Sequence, residues 1–438
     1  MRLVCLLLIA LTLDVAGQSY SRPEPDSTEI AYRFGVGAGL ARIENGEGTR
    51  ETFLALRFMP EAAQGRLSGG LLLNLRYNIP DLDEREEDFD RVADFVSILR
   101  YLSYGNKGEA GWTGRFGELR GERIGYGQIV NLYRNTLSLD DPQRGLRVGF
   151  VSPKWRFEGL YSSVIASEMY AARVAYQPAA GRGLRTWSGL SIGVQIAGDL
   201  AERGRLVNAT VPGAPYFVPE ISDVAPGSPV PFGTDEGALR LLSVDLGLPF
   251  AQRGGIDYTA YGYVTGIAGH GAGAGLGILG QSDLQGQGFL EARFEQRLLG
   301  SEYLPGYFDG LYEIERRRNV DLNLSRIGSV RAFNSKRNEL TAQEGPDLGL
   351  HLSVDFRIGR RFDGTVSYEG LWTSRNNGWF HADFRTRSPV LPFYAGFVYD
   401  RFDVDDPDDL FADESVLRLQ LVYRVWKSLM VGFDYAES

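Results

Sequence analysis

From about residue 30 onward the chain alternates apolar and polar positions in segments of nine to thirteen residues. In 67–79, Leu67, Gly69, Leu71, Leu73, Leu75, Tyr77 and Ile79 share one face, and Asn74, Arg76 and Asn78 lie on the other. In 348–358, leucines 348, 350 and 352 with Val354, Phe356 and Ile358 oppose His351, Ser353, Asp355 and Arg357. In 417–425, Leu417, Leu419, Leu421, Tyr423 and Val425 oppose Arg418, Gln420, Val422 and Arg424. The same period recurs at 30–40, 154–161, 170–177, 190–198, 362–372, 379–386 and 391–401. A period of two is the signature of a strand with two unlike faces. Strands of a soluble sandwich average about five or six residues, whereas a tilted strand crossing a bilayer needs about 9–11. Aromatic residues near the segment ends, among them Tyr104, Trp112, Trp155, Trp379 and Tyr399, match the rings that flank the apolar band of a membrane barrel. A long apolar face is stable in lipid only when no backbone edge is left unpaired. The pattern therefore predicts an all-β fold, a single transmembrane antiparallel meander β-barrel of roughly 16–20 strands.

The links between segments fit a meander. Gly359-Arg360-Arg361 and 387–390 read as tight turns, and 80–91 and 403–415 as long acidic loops. The stretch 200–237 carries six prolines and breaks the alternation, so it reads as a large loop within one domain. With Tyr216, Phe217 and Phe232 it is the expected plug or constriction of the lumen. Residues 1–17 have Arg2, an apolar run from Leu3 to Leu13 and small residues before Gln18, the layout of a cleaved signal peptide. The barrel is then expected to occupy 18–438. The single cysteine, Cys5, lies in that leader, so the mature chain is expected to hold no disulfide. In a bacterial barrel an even strand number brings both termini to the periplasmic face. Counting back from 429–435, that rule puts the acidic 403–415 link inside and the short 426–428 link outside.

Composition narrows the function classes. A net charge of −10 gives no electrostatic case for nucleic acid. Only four of the 46 basic residues are lysines, so arginine dominates any charged wall. The expected inward-facing, pore-lining side chains are Asn74, Arg76, Asn78, Asp355, Arg357, His381, Asp383, Arg385, Arg418, Gln420 and Arg424. Polar interiors of this kind make water-filled channels. The primary expectation is a porin-like, non-enzymatic channel for passive diffusion of small hydrophilic solutes, with no cofactor and no metal. The alternative is a closed structural or surface-interaction barrel, distinguished by a filled lumen.

Other chemistry is sparse. The Gly-rich run 269–280 lacks the Lys-Ser/Thr of a phosphate loop and reads as a hairpin or a strand where backbones approach closely. The acidic loop 403–414 lacks the spaced glycine of a calcium turn. His351-Leu352-Ser353 resembles the His and Ser placed two apart on a strand in outer-membrane phospholipases, but Val354 stands where their motif continues with Asn. A hydrolase is the remote alternative. Over its mature length the chain resembles bacterial outer-membrane β-barrel proteins. The last segment, 429–435, alternates apolar residues and ends in Tyr435, and 104–135 is similar to segments in uncharacterised Bacteroidota-type barrel proteins. The resemblance implies the outer membrane of a Gram-negative bacterium, with membrane lipid and, through the C-terminal strand, the barrel-assembly machinery as partners.

Overall fold

A computed structural model of the 438-residue chain describes residues 30–437 except 45–49, 80–82, 84–91, 106–108, 136–142, 166–168, 182–186, 201–237, 285–287, 316–317, 325–327, 335, 338–339, 341–342, 344, 359–361, 372–377, 387–392, 402–403, 405–414 and 425–429. The expected signal peptide and the body of the Pro-rich 200–237 stretch lie outside the described residues. In chain order the strands are β1 (Ala31–Glu44), β2 (Arg50–Gln64), β3 (Leu67–Leu71), β4 (Leu73–Asn78), β5 (Leu99–Tyr104), β6 (Gly111–Gly117), β7 (Gly145–Val151), β8 (Trp155–Tyr161), β9 (Met169–Tyr176), β10 (Ser191–Asp199) and β11 (Leu239–Arg253). They continue as β12 (Ile256–Ile267), β13 (Ala272–Asp283), β14 (Gly288–Leu299), β15 (Arg318–Leu324), β16 (Gly328–Asn334), β17 (Asp347–Ile358), β18 (Phe362–Leu371), β19 (Trp379–Thr386), β20 (Phe393–Arg401), β21 (Ser415–Arg424) and β22 (Met430–Glu437). Two short helices, α1 (Val92–Ile98) and α2 (Tyr312–Glu315), lie in links.

Twenty strands form one antiparallel sheet, in the expected range, and β15 and β16 pair only with each other. Neighbours in the sheet are neighbours in sequence, with β14 passing directly to β17. β22 lies against β1, so the sheet curls into a barrel. The chain is thus an all-β antiparallel meander barrel. β3 and β4 are two halves of one rung interrupted at Leu72, both pairing with β2. Among the described residues the wall therefore has an odd number of rungs, and β1 and β22 run in the same direction. No backbone ladder joins them among the described residues.

That parity corrects the link assignment made from an even count. The links 79–98, 118–144, 200–238, 300–346 and 402–414 all leave from one end of the barrel, and 65–66, 152–154, 254–255, 359–361 and 425–429 from the other. The acidic link thus shares an end with the four longest links, 79–98, 118–144, 200–238 and 300–346, while 177–190 leaves from the opposite end. The counting rule failed because it fixed both termini at one face, whereas an odd meander starts and finishes at opposite ends.

The alternation seen in the sequence is the in–out alternation of the wall. In β11, Leu242, Val244 and Leu246 are exposed while Ser243 and Asp245 are buried. In β17, Leu348, Leu352 and Val354 are exposed while His351 and Ser353 are buried. Apolar outside and polar inside is the arrangement of a membrane barrel. Exposed aromatics sit at the short-link end: Tyr104, Trp112, Trp155, Phe250, Phe289 and Tyr423. The Gly-rich 269–280 run becomes most of β13, and its glycines give space, not phosphate contact. Gly275 and Gly277 are paired directly opposite Tyr263 and Tyr261, whose rings fill the places where a Cβ would stand.

Candidate functional site

The interior is occupied by two of the long links. Residues 118–135 leave β6 and turn back as a finger inside the barrel. Glu122 and Tyr133 exchange both backbone hydrogen bonds, each 2.9 Å, and Ile124 N–H donates to Val130 O at 3.2 Å. Gly125 and Gly127 at the tip have φ of +58° and +88°, a region costly for residues with a Cβ. The side-chain amide oxygen of Asn135 ties the base by accepting from Leu119 N–H at 2.8 Å. Residues 302–315 form an arch over the finger. Asn131 N–H donates to Phe308 O at 3.1 Å, Phe308 N–H to Ile129 O at 3.0 Å, and Gly306 N–H to Gln128 O at 3.1 Å.

Two kinds of contact hold this assembly. At the long-link end, Leu119, Ile129, Val130 and Tyr133 of the finger pack with Tyr303, Tyr307, Phe308 and Tyr312 of the arch. That cluster continues onto inward wall residues such as Leu160, Met169, Leu239 and Leu299. Deeper in, the finger meets the wall through charge and hydrogen bonds. Arg123 Nη1 reaches Glu291 Oε1 at 3.1 Å and Asp355 Oδ2 at 2.7 Å. Glu122 Oε2 lies 3.0 Å from Arg147 Nε, and Arg134 Nη2 lies 2.5 Å from Asp383 Oδ2. Gln128 Nε2 donates to Asp245 Oδ2 at 3.2 Å, and Gly125 N–H to Glu158 Oε2 at 3.2 Å. Tyr126 stacks on Tyr261 with ring centroids 4.3 Å apart and planes 5° from parallel. Its hydroxyl occupies the place a Cβ of residue 247 would take, so Gly247 is the seat of the tip.

The wall behind the finger carries its own ion pairs. Arg173 grips Asp245 through Nε at 2.9 Å and Nη2 at 2.6 Å, crossing over β10 at Gly193, where any Cβ would collide with both. Glu295 accepts from Tyr261 at 2.6 Å and Tyr263 at 2.7 Å and also pairs with Arg297.

The expected lining residues fall into three groups. Asp355, His381, Asp383 and Arg385 are drawn into the finger's surroundings. His381 Nδ1 is 2.6 Å from Asp400 Oδ1, and Asp383 is shared between Arg134 and Arg385. Asn74, Arg76 and Asn78 stand on the β4 rung, with Arg76 buried. Arg357 is exposed near the short-link end of β17. The side chains of Arg418, Gln420 and Arg424 lie outside the described residues. His351 and Ser353 face inward, but the Ser353 hydroxyl has no hydrogen-bond partner and Asp355 is engaged by Arg123 and Thr365. The three are not assembled into a relay. The plug expected at 200–237 falls outside the described residues, and the filling that is described comes from 118–135 and 302–315.

At the base of the finger Glu118 is 4% exposed. Burial alone would raise its pKa, but Arg120, Arg100 and Arg144 outweigh burial and hold the carboxyl below the ordinary glutamate value. A carboxyl with a depressed folded pKa stabilises above its unfolded value, and that stabilisation is lost as pH falls through the folded one. Amide-exchange protection of 118–135 is therefore expected to stay constant from neutral pH to about 4.5 and to drop below about 4. A Glu118→Gln variant should lose this pH dependence. Protection that falls equally in both proteins would assign the acid response to another group.

No protein-family model matches the chain and no curated protein does. Solved structures similar to it include Wzi of Escherichia coli, described as an outer membrane protein involved in group 1 capsule assembly and a carbohydrate-binding β-barrel. It is 11% identical over 93% of this chain and 80% of that one, with a TM-score of 0.33. The anion-selective porin from Comamonas acidovorans is 9% identical over 80% and 91%, with a TM-score of 0.30. OccAB1 of Acinetobacter baumannii is 9% identical over 95% and 100%, with a TM-score of 0.33. The meander closed by β22 against β1, apolar outside and polar within, is the fold of an outer-membrane-type β-barrel.

Proposed function

We propose that the protein is an outer-membrane channel for small hydrophilic solutes, held shut at rest by its own finger and arch. The observation that carries this reading is the polar contact between finger and wall. A permanent core is as stable, or more so, when buried ion pairs are replaced by packed apolar side chains. Here the finger meets Glu291, Asp355, Asp383, Asp245 and Arg147, groups that water can solvate once the tip moves away. Long links face the exterior in barrels of this type, which puts the finger's root on the outer side. In this reading charged wall residues, Asp355, Asp383 and Arg385 among them, line the path.

A second reading, a closed surface-interaction barrel, is favoured by one observation: the apolar cluster that joins finger, arch and wall. Single-channel recording separates the two. The refolded chain should show rare, brief openings, and replacing 122–133 by a short Gly-Ser connection should give sustained conductance. A folded, shortened variant that stays silent would sink the channel and favour the closed barrel.

A further inference from the structure

Glu122 and Arg123 are consecutive, yet their side chains engage different sides of the barrel. Glu122 is bound by Arg147 of β7, and Arg123 by Glu291 of β14 and Asp355 of β17. Between β7 and β14 along the wall stand β8 to β13, so the two seats belong to separated sectors.

Each seat is an unbalanced charge without the finger. Arg115 and Arg147 are paired directly across β6 and β7, and like charges in that relation repel. Glu122 is the carboxylate set against them, 3.0 Å from Arg147 Nε. On the far wall Asp355 takes Arg123 at 2.7 Å and the Thr365 hydroxyl at 2.6 Å. Glu291 keeps Arg293 at 3.1 Å and the Gln281 amide at 2.8 Å. The finger thus lays a carboxylate on a basic seat and a guanidinium on an acidic one, as a dipolar molecule would.

We infer that Arg115 and Arg147 on one side, and Glu291 and Asp355 on the other, form a two-ended specificity site for zwitterionic solutes carrying a carboxylate and a guanidinium or ammonium group, with Glu122-Arg123 as its internal occupant. This rests on the channel reading, because the seats are free only when the finger withdraws. A neutral solute gains nothing from either seat, and a simple cation meets attraction at one and repulsion at the other. Only a solute with both charges replaces what Glu122 and Arg123 supplied.

Solute entry into proteoliposomes tests this with three probes: L-arginine, agmatine, which lacks the carboxylate, and arabinose, which is uncharged. Two variants expose the site, the chain with 122–133 shortened and the full-length E122Q/R123Q. Heat-modifiable gel mobility reports folding in each. L-arginine should enter about tenfold faster than either other probe. Adding Arg147→Gln should bring L-arginine down to the agmatine rate, and adding Glu291→Gln with Asp355→Asn should bring it to the arabinose rate. Equal entry of all three probes overturns the specificity site while leaving the channel intact. If neither folded variant admits any probe, the channel reading itself fails, and the site fails with it.

Discussion

Arg123→Glu is expected to open the lumen at neutral pH. The guanidinium of Arg123 is 12% exposed and bridges Glu291 and Asp355. The reversed charge places a third carboxylate beside Asp355 and Glu291, of which Glu291 keeps its ion pair with Arg293. Breaking one side of a buried pair costs about 3–5 kcal/mol, because the remaining charge stays in a poorly solvated place. Each 1.4 kcal/mol is a factor of ten, so the closed population should fall by about a hundredfold or more. The finger can relieve the repulsion by withdrawing into water, whereas β14 and β17 are held by the barrel ladder, so the cost should appear as opening. Long-lived conductance steps are the expected readout, reversed when Asp355→Arg is added. A variant that stays as closed as the parent would mean that the apolar cluster with the arch alone sets the resting state.

Arg173→Met is expected to cost the wall about as much, expressed as lost stability. Asp245 is 1% exposed and Arg173 4%. Gln128 gives Asp245 a hydrogen bond but no charge. Leaving that carboxylate without its cation should destabilise by about 3–5 kcal/mol. The double variant Arg173→Met with Asp245→Leu removes both desolvated charges and should recover most of the loss. Equilibrium urea unfolding in detergent measures both. A double variant as unstable as the single one would show that the pair is needed for more than its charge balance, with Glu158 and Gly193 as the neighbours to examine.

The architecture was legible because membrane strands repeat one simple rule. Lipid outside and polar groups inside impose a two-residue period, and β11, β14 and β17 keep it along much of their length. The number of strands followed from the same rule to within its range. Parity did not: 67–79 reads as the single rung that β3 and β4 form, but the even count came from the rule for bacterial barrels and no residue pattern in the chain carries it.

The described filling of the lumen was not legible for a related reason. Prolines make 200–237 conspicuous, while 118–135, which lies inside the barrel, is marked only by lost alternation and by Gly121, Gly125 and Gly127. Arg123, Arg134, Arg173 and Asp245 were missed as site residues, although Asp355 and Asp383 were named. The inward glycines 193 and 247 were the available signal, since a gap in a polar face marks where something else must fit. Which residue fills such a gap is not written near it: Tyr126 lies far from Gly247 along the chain.

The sequence by itself determined the strand period, the sorting of apolar side chains outward and charged ones inward, and hence the barrel, because each depends on neighbours one or two residues apart. Tertiary structure alone decided which link folds inward, which carboxylates face which guanidiniums, and whether the lumen is filled. Those contacts join residues from 25 positions apart, Glu122 with Arg147, to more than two hundred, Arg123 with Asp355. Their energies depend on distance and desolvation in the closed barrel, quantities that have no counterpart along the chain.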